Sequence, residues 1–110
     1  MHELSLTQNL LEAALGNAAG KKIVYVNLLI GEFSDEREEA LQFYWSDLAK
    51  GTRADGAKLR FQRVEAEMEC LACGAVFHPE EQAALCPHCQ SHRLKLLRGD
   101  DVRLESIDVE

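Results

Sequence analysis

Apolar residues follow two different spacings along the chain, and the change between them predicts the order of the first elements. Over residues 4–15 they recur at helical spacing and form a broad stripe, which Gly16 and Gly20 bring to an end. Over residues 22–32 they fall at every second position, with apolar side chains on both faces. This pattern indicates a helix followed by a buried central strand.

A second helix is predicted within residues 34–51. Ser34 or Asp35 is suited to cap its start, and Gly51 is suited to end it. Acidic side chains favour the positive end of a helix, and four of them stand near this start: Asp35, Glu36, Glu38 and Glu39. The face expected to enter the core carries Leu41, Tyr44, Trp45 and Leu48.

Two later strands are predicted on either side of a cysteine-bearing segment. The first follows a turn at residues 52–56, and its alternation slips between Phe61 and Val64, as at a β-bulge. The last strand, at residues 101–109, slips between the phase of Val102 and that of Ile107. We therefore expect these two strands to pair with each other.

The order of elements predicts an α+β fold with two helices on a small three-stranded sheet and an inserted zinc-ribbon-like lobe. The chain has 110 residues and is 46% hydrophobic, which suffices for one modest core. We expect residues 1–66 and 100–110 to form an α/β body. Residues 67–99, which carry the cysteines, are expected to form the lobe.

Charge and composition narrow the function classes. The formal net charge is -7 and the sequence pI is about 5.1, so neither nucleic acid nor an anionic membrane is an expected partner. Arg93, Lys95 and Arg98 are too few to reverse that expectation, and we interpret them as one solvated face of a strand. The N-terminus lacks the basic start of a signal peptide, and no apolar run is long enough to span a bilayer. A cytoplasmic location is expected, where cysteines are more often metal ligands than disulfides.

The cysteines form two pairs, CLAC at residues 70–73 and CPHC at residues 86–89, separated by twelve residues. Each pair can bind one ion from a tight turn, and two such turns complete the tetrahedral four-thiolate site that zinc favours. Four protein ligands leave no open position, so the ion is expected to be structural. Iron in a rubredoxin-like electron carrier and reduced, unliganded thiols are the alternatives. The zinc ligands predicted are Cys70, Cys73, Cys86 and Cys89.

Residues around the cysteines affect this prediction in two ways. Gly74 follows the first pair, where a positive φ is often needed, whereas Gln90 follows the second at a cost on the order of 1 kcal/mol. Three nearby histidines are alternative ligands, although solvated surface positions are the more common situation for histidines in polar loops. They are His78, His88 and His92.

The chain begins Met-His-Glu, which offers a second kind of metal chemistry. The His2 ring nitrogen, the His2 amide nitrogen and the amine of Met1 can close adjacent chelate rings around one ion. Glu3 can add its amide or its carboxylate, and planar nitrogen and oxygen donors suit Ni(II) or Cu(II) better than zinc. The short motif also fits an inert surface histidine beside an acidic residue at a helix start.

Several longer stretches carry a resemblance to a known family. They are MHELSL, LIGEF, EALQF, GTRADGAKL, CLACG, CPHC and RGDDVRLESIDVE. Together they resemble the HypA/HybF family of hydrogenase nickel-incorporation accessory proteins over nearly the whole chain. Gln90 departs from the glycine usual in the family.

The resemblance implies a nickel metallochaperone without enzymatic activity. It implies Ni(II) as transferred cargo at Met1, His2 and Glu3, and structural Zn(II) at the four cysteines. The implied partners are a nickel-binding GTPase of hydrogenase maturation and the precursor of a [NiFe] hydrogenase large subunit. The rival functions are an Fe(Cys)4 electron carrier and a zinc-ribbon module that binds nucleic acid; a hydrolase is disfavoured because no catalytic arrangement stands out.

Overall fold

The computed structural model describes residues 2–79 and 85–110, with side chains described from residue 3 onward. In chain order the elements are α1 (His2–Asn17), β1 (Ile23–Gly31), α2 (Glu38–Leu48), β2 (Lys58–Val64), β3 (Glu67–Cys70), β4 (Val76–Phe77), β5 (Leu94–Arg98) and β6 (Val102–Val109). The strands form two three-stranded sheets, ordered β2-β1-β6 and β4-β3-β5, here called the body sheet and the cysteine sheet. No described helix is long and apolar enough to cross a membrane. The predicted α+β class is confirmed.

Strand β1 occupies the centre of the body sheet, as its apolar pattern predicts. It runs parallel to β2 and antiparallel to β6. The expected pairing of the second and last strands is wrong, because β1 lies between them and bonds to both. A strand that is apolar on both faces fits this central place, and the sheet order depends on long-range contacts that local alternation does not encode.

The two predicted strand irregularities have different outcomes. The β1–β2 register runs without a shift from Tyr25 opposite Lys58 to Gly31 opposite Val64, so the bulge predicted in β2 is wrong. Val64 lies at the end of the strand, where a half-buried side chain can face either way without a bulge. The change of phase predicted in β6 is confirmed. Asn27 of β1 lies opposite Ser106 and Leu28 lies opposite Leu104, so the register shifts by one residue at Glu105.

Helix α1 passes through Gly16 and ends at Asn17, where Ala19 and Gly20 follow with positive φ values of 52° and 78°. Helix α2 begins at Glu38, later in the chain than a cap at Ser34 or Asp35 predicts. Its N-cap is Arg37, which makes no side-chain capping bond, whereas Ser34 Oγ accepts from the Glu36 amide at 3.1 Å in a separate turn. The cap prediction is therefore wrong. The helix ends at Leu48 with Ala49 as its C-cap, so the end predicted at Gly51 is also wrong; Gly51 lies in the following turn with a φ of 78°.

A single hydrophobic core cluster lies between the two helices and the body sheet. The predicted face of α2 contributes Leu41 and Trp45, which are 0% and 1% exposed, while Tyr44 and Leu48 are half-buried. From the sheet, the buried members include Ile23, Val26, Leu28, Ile30, Leu59 and Val102. Among the described residues, no member of this cluster comes from the cysteine sheet or the turns that carry the cysteines.

Candidate metal centres

The two cysteine turns have matching backbone geometry. In the first, the Gly74 amide donates to the Cys70 carbonyl at 2.8 Å, and the Cys70 amide donates to the Ala75 carbonyl at 2.8 Å. In the second, the Gln90 amide donates to the Cys86 carbonyl at 2.9 Å, and the Cys86 amide donates to Ser91 at 3.0 Å. The same sequence spacing has produced the same local fold twice.

A positive φ follows each cysteine pair, as the sequence analysis expects. Gly74 has a φ of 80° and Gln90 has a φ of 66°. The second turn therefore places a side chain in a conformation that favours glycine, at a cost on the order of 1 kcal/mol. Because the two turns otherwise match, Gln90 changes the stability of the second turn and leaves its ligand geometry intact.

The four cysteine sulfurs converge on one point. All four Sγ atoms lie within 4.8 Å of one another, with Cys70 and Cys89 at 3.5 Å and Cys73 and Cys86 at 3.7 Å. A tetrahedral zinc ion with Zn–S bonds of about 2.3 Å requires sulfur separations of about 3.8 Å. The thiols therefore fit a four-thiolate zinc ion. In the described part of the chain, this is the one group of three or more His, Cys, Asp or Glu side chains placed to hold a metal.

The electrostatics of the cluster favour thiolate formation at one position first. The backbone amide of Cys73 donates to Cys70 Sγ at 3.4 Å, and this contact lowers the pKa of Cys70 to about 6. The Ser91 amide acts to lower the pKa of Cys89, but the adjacent Cys70 sulfur and desolvation raise that pKa to about 12. Four close sulfurs thus resist full ionisation until a divalent cation offsets their charge.

The nearby histidines lie outside the sulfur cluster. His78 is exposed, as expected for a surface histidine, and its Nε2 also lies 2.8 Å from Glu32 Oε1, a contact that the sequence does not predict. His88 contacts the site through its backbone amide, 3.4 Å from Cys86 Sγ, and its side chain is exposed. His92 is exposed. The partner of His78 is 46 residues away in sequence, so no local pattern signals this contact.

The start of the chain lies beside the start of α2. Glu3 Oε2 accepts a hydrogen bond from the Arg37 amide at 3.3 Å, and the Glu3 carbonyl accepts from Thr7 Oγ1 at 2.6 Å. Glu3 thus complements the positive end of α2, whereas its place in the sequence indicates only the positive end of its own helix. Met1 and the side chain of His2 lie outside the described residues, so the predicted nickel ligands are described at Glu3 alone.

An acidic cleft of about 350 Å³ adjoins this point. It separates the end of β1 from the start of α2. The acidic side chains that line it are Glu32, Glu36, Glu38 and Glu39, and Arg37 and Arg63 are the basic ones. Glu3 therefore stands near a surface of mostly negative charge.

Known proteins resemble this chain along its whole length. A family model described as hydrogenase/urease nickel incorporation, metallochaperone, hypA matches residues 1–109. The chain is 36% identical to the hydrogenase maturation factor HypA of Geobacter sulfurreducens over 110 residues, which span all of both proteins. It is 37% identical to the protein of that description from Caldanaerobacter subterraneus subsp. tengcongensis over 114 residues, again spanning both.

Two solved structures share the fold. The solution structure of the Ni metallochaperone HypA from Helicobacter pylori aligns with a TM-score of 0.77 and 24% identity, covering 97% of this chain and 96% of that one. A second structure, described as the solution structure of HypA protein, aligns with a TM-score of 0.78 and 25% identity, covering 100% and 97%.

Proposed function

This chain belongs to the HypA family of hydrogenase/urease nickel-incorporation metallochaperones, and we propose that it binds its cargo, Ni(II), through Met1, His2 and Glu3. The observation that supports the site most directly is that the family model matches from residue 1, so the Met-His-Glu start lies within the matched region. The proposed donors are the Met1 amine, the His2 amide and ring, and the Glu3 amide or carboxylate. Such a planar set suits Ni(II).

The position of His2 and Glu3 at the start of α1 supports amide coordination. Helix α1 begins at His2, and the first amides of a helix have no intrahelical acceptor. Nickel can therefore displace the protons of the His2 and Glu3 amides without breaking a helical hydrogen bond. The acidic cleft beside Arg37 adds a field that attracts a divalent cation.

The second part of the proposal assigns Zn(II) to the four cysteines. The zinc would be structural, since four thiolates fill a tetrahedral shell and leave no position for substrate or water. Its role is to hold the two cysteine turns together. Iron would fit the same sulfur spacing, and the colour of protein purified without added metal distinguishes the two ions.

A nickel site at the chain terminus is suited to passing the ion to another protein. A partner can reshape or strip a terminal site more easily than a buried cage. We propose that the receiver is a nickel-binding GTPase and that the ion reaches the large-subunit precursor of a [NiFe] hydrogenase. The proposal requires no covalent catalysis, and it places the protein in the cytoplasm, where its thiols stay reduced.

The experiment is a nickel titration by calorimetry on four chains with native C-termini: the native protein, a form extended by one residue before Met1, His2→Ala, and the control His92→Ala. Extension removes the terminal amine from the chelate while keeping every side chain. Both altered chains should lose high-affinity nickel binding, and His92→Ala, which changes an exposed histidine elsewhere, should not.

Zinc content, measured on the same samples, should remain at one ion per chain throughout. Equal nickel affinity in the native and extended proteins would contradict the terminal site. It would favour a nickel site at the histidines near the cysteines.

A further inference from the structure

The two sheets are joined at the end of β1, where three chain segments meet. The Gly31 amide donates to the Asp101 carbonyl at 2.8 Å, and the Phe33 amide donates to the Gly99 carbonyl at 2.7 Å. The Glu32 amide donates to the Val64 carbonyl at 2.8 Å. The end of β1 therefore bonds to both segments that connect the body to the cysteine sheet.

These connecting segments also touch each other. Gly99 has a φ of 102°, and a Cβ placed there would lie 2.5 Å from the Cα of Ala66. A Cβ at Gly31 would likewise collide with the Gly99 backbone. The two crossings between the sheets are thus packed side by side, and two adjacent crossings define an axis about which the cysteine sheet can turn.

Little else in the described structure opposes such a rotation. No helix or strand of the body packs broadly against β3, β4 or β5 among the described residues. A contact that resists turning must tie the body to a part of the cysteine sheet other than the two crossings. His78, just after β4, is such a point, and its partner is Glu32 of the body.

Glu32 joins the crossing at Ala66 to His78. Its Oε1 accepts a hydrogen bond from the amide of buried Ala66 at 2.9 Å and lies 2.8 Å from Nε2 of His78. The Ala66 hydrogen bond, followed by the His78 contact, lowers the pKa of Glu32, so the side chain is a carboxylate at neutral pH. One charged group therefore contacts both a connecting segment and the segment that follows β4.

We propose that Glu32 is a positioning residue that fixes the orientation of the cysteine sheet relative to the body, by bonding the Ala66 amide and the His78 ring at once. Removing the carboxylate frees the sheet to turn about the paired crossings. Breaking the contact to His78 alone leaves the Ala66 bond intact but removes the restraint on the segment after β4. The inference concerns orientation and holds with or without nickel.

The test is NMR relaxation and residual dipolar coupling on the full zinc-loaded chain. In the native protein, amides of both sheets should fit one alignment tensor. In Glu32→Ala, the apparent order parameters of the cysteine-sheet amides should fall from about 0.85 toward about 0.6 in the frame of the body. Exchange of the Ala66 amide with solvent should accelerate by on the order of tenfold.

Two further variants separate orientation from general damage. Glu67→Ala removes a neighbouring carboxylate that pairs with Arg98 at 2.9 Å, within the cysteine sheet, and should behave like the native protein. His78→Ala should loosen the orientation while leaving Ala66 exchange slow. Zinc content should be equal in all four chains.

A single shared alignment tensor in both Glu32→Ala and His78→Ala would overturn the proposal, because the paired crossings alone would then suffice. If Glu32→Ala fails to fold, Glu32→Gln replaces it. The amide oxygen of glutamine keeps the Ala66 bond but loses the charge facing His78, so its couplings should resemble those of His78→Ala. Native couplings in Glu32→Gln and His78→Ala would equally reject the proposal.

Discussion

The body sheet and the cysteine sheet each have three strands, yet different forces stabilise them. The body sheet buries Ile23, Val26 and Leu28 at 0–1% exposure beneath two helices. The cysteine sheet leaves Leu71 and Val76 more than half exposed, and its fully buried side chains in the described region are Cys70, Cys86 and Pro79. Apolar burial stabilises the body sheet, whereas the cysteine sheet is built around side chains placed to bind an ion.

The two proposed metal sites fit this difference. A body with its own core does not need cargo in order to fold, so a nickel site at the start of α1 is free to gain and lose its ion. A sheet without a core is expected to retain its ion, because metal binding would supply its folding free energy. We therefore expect transferable metal on the body and permanent metal on the cysteine sheet.

Zinc removal should have the largest effect. Chelation, or Cys86→Ala, should unfold residues 67–99, because a structural zinc ion contributes on the order of 10 kcal/mol to such a fold. The described helices lie outside that segment, so helical circular dichroism should persist. Ala72→Ser, at an exposed position between two ligands, is the control and should retain zinc.

Loss of the helical signal on chelation would show that residues 1–66 and 100–110 do not fold as a separate unit. Fluorescence of Trp45, the single tryptophan, provides an independent report from the core of the body. Its emission should change little when zinc is removed.

The reciprocal test perturbs the core of the body and leaves the cysteines unchanged; the variant is Leu41→Ala. Leu41 is 0% exposed in the core, and truncation of a buried leucine costs about 2–5 kcal/mol. Denaturant unfolding followed by Trp45 fluorescence should register this loss, while zinc affinity stays constant. A parallel fall in zinc affinity would mean that the two sheets fold as one cooperative unit.

A smaller effect is expected at the second cysteine turn. Gln90→Gly should relieve the positive-φ strain and raise zinc affinity by about fivefold, equivalent to about 1 kcal/mol. Gly74→Ala tests the same effect in reverse, because a Cβ there meets nothing within 4 Å and the backbone conformation alone is changed. Competition with a chromophoric chelator measures the zinc affinity of both variants. The affinity should rise in Gln90→Gly and fall in Gly74→Ala.

The smallest effect concerns acid stability. The pKa of Glu32 is lower in the folded chain than its ordinary value of 4.5, so its contribution to stability is present above pH 4.5 and is lost as pH falls through the folded pKa. Compared with Glu32→Gln, the native protein should therefore be more stable near neutrality, and the advantage should vanish in acid. A constant difference between pH 7 and pH 3 in denaturant titrations would contradict this assignment.

Local patterns predicted the parts of the molecule that local chemistry determines. The periodicity of α1 and β1, the paired cysteine turns and the positive φ at Gln90 follow from neighbouring residues and are confirmed. The sheet order and the contact between Glu32 and His78 depend on segments far apart in sequence, which spacing does not encode. The cap of α2 was wrong because the chain makes a separate turn at Ser34 before the helix begins.

The most direct test of two metals at two unlike sites is nickel X-ray absorption on the native, zinc-loaded protein with one equivalent of Ni(II). We expect a first nickel shell of nitrogen and oxygen alone, from the terminal amine, the amides and the His2 ring. The zinc edge of the same sample should show four sulfur neighbours before and after nickel is added. Sulfur in the nickel shell, or loss of sulfur from the zinc shell, would show that nickel binds at the cysteines and would contradict the account.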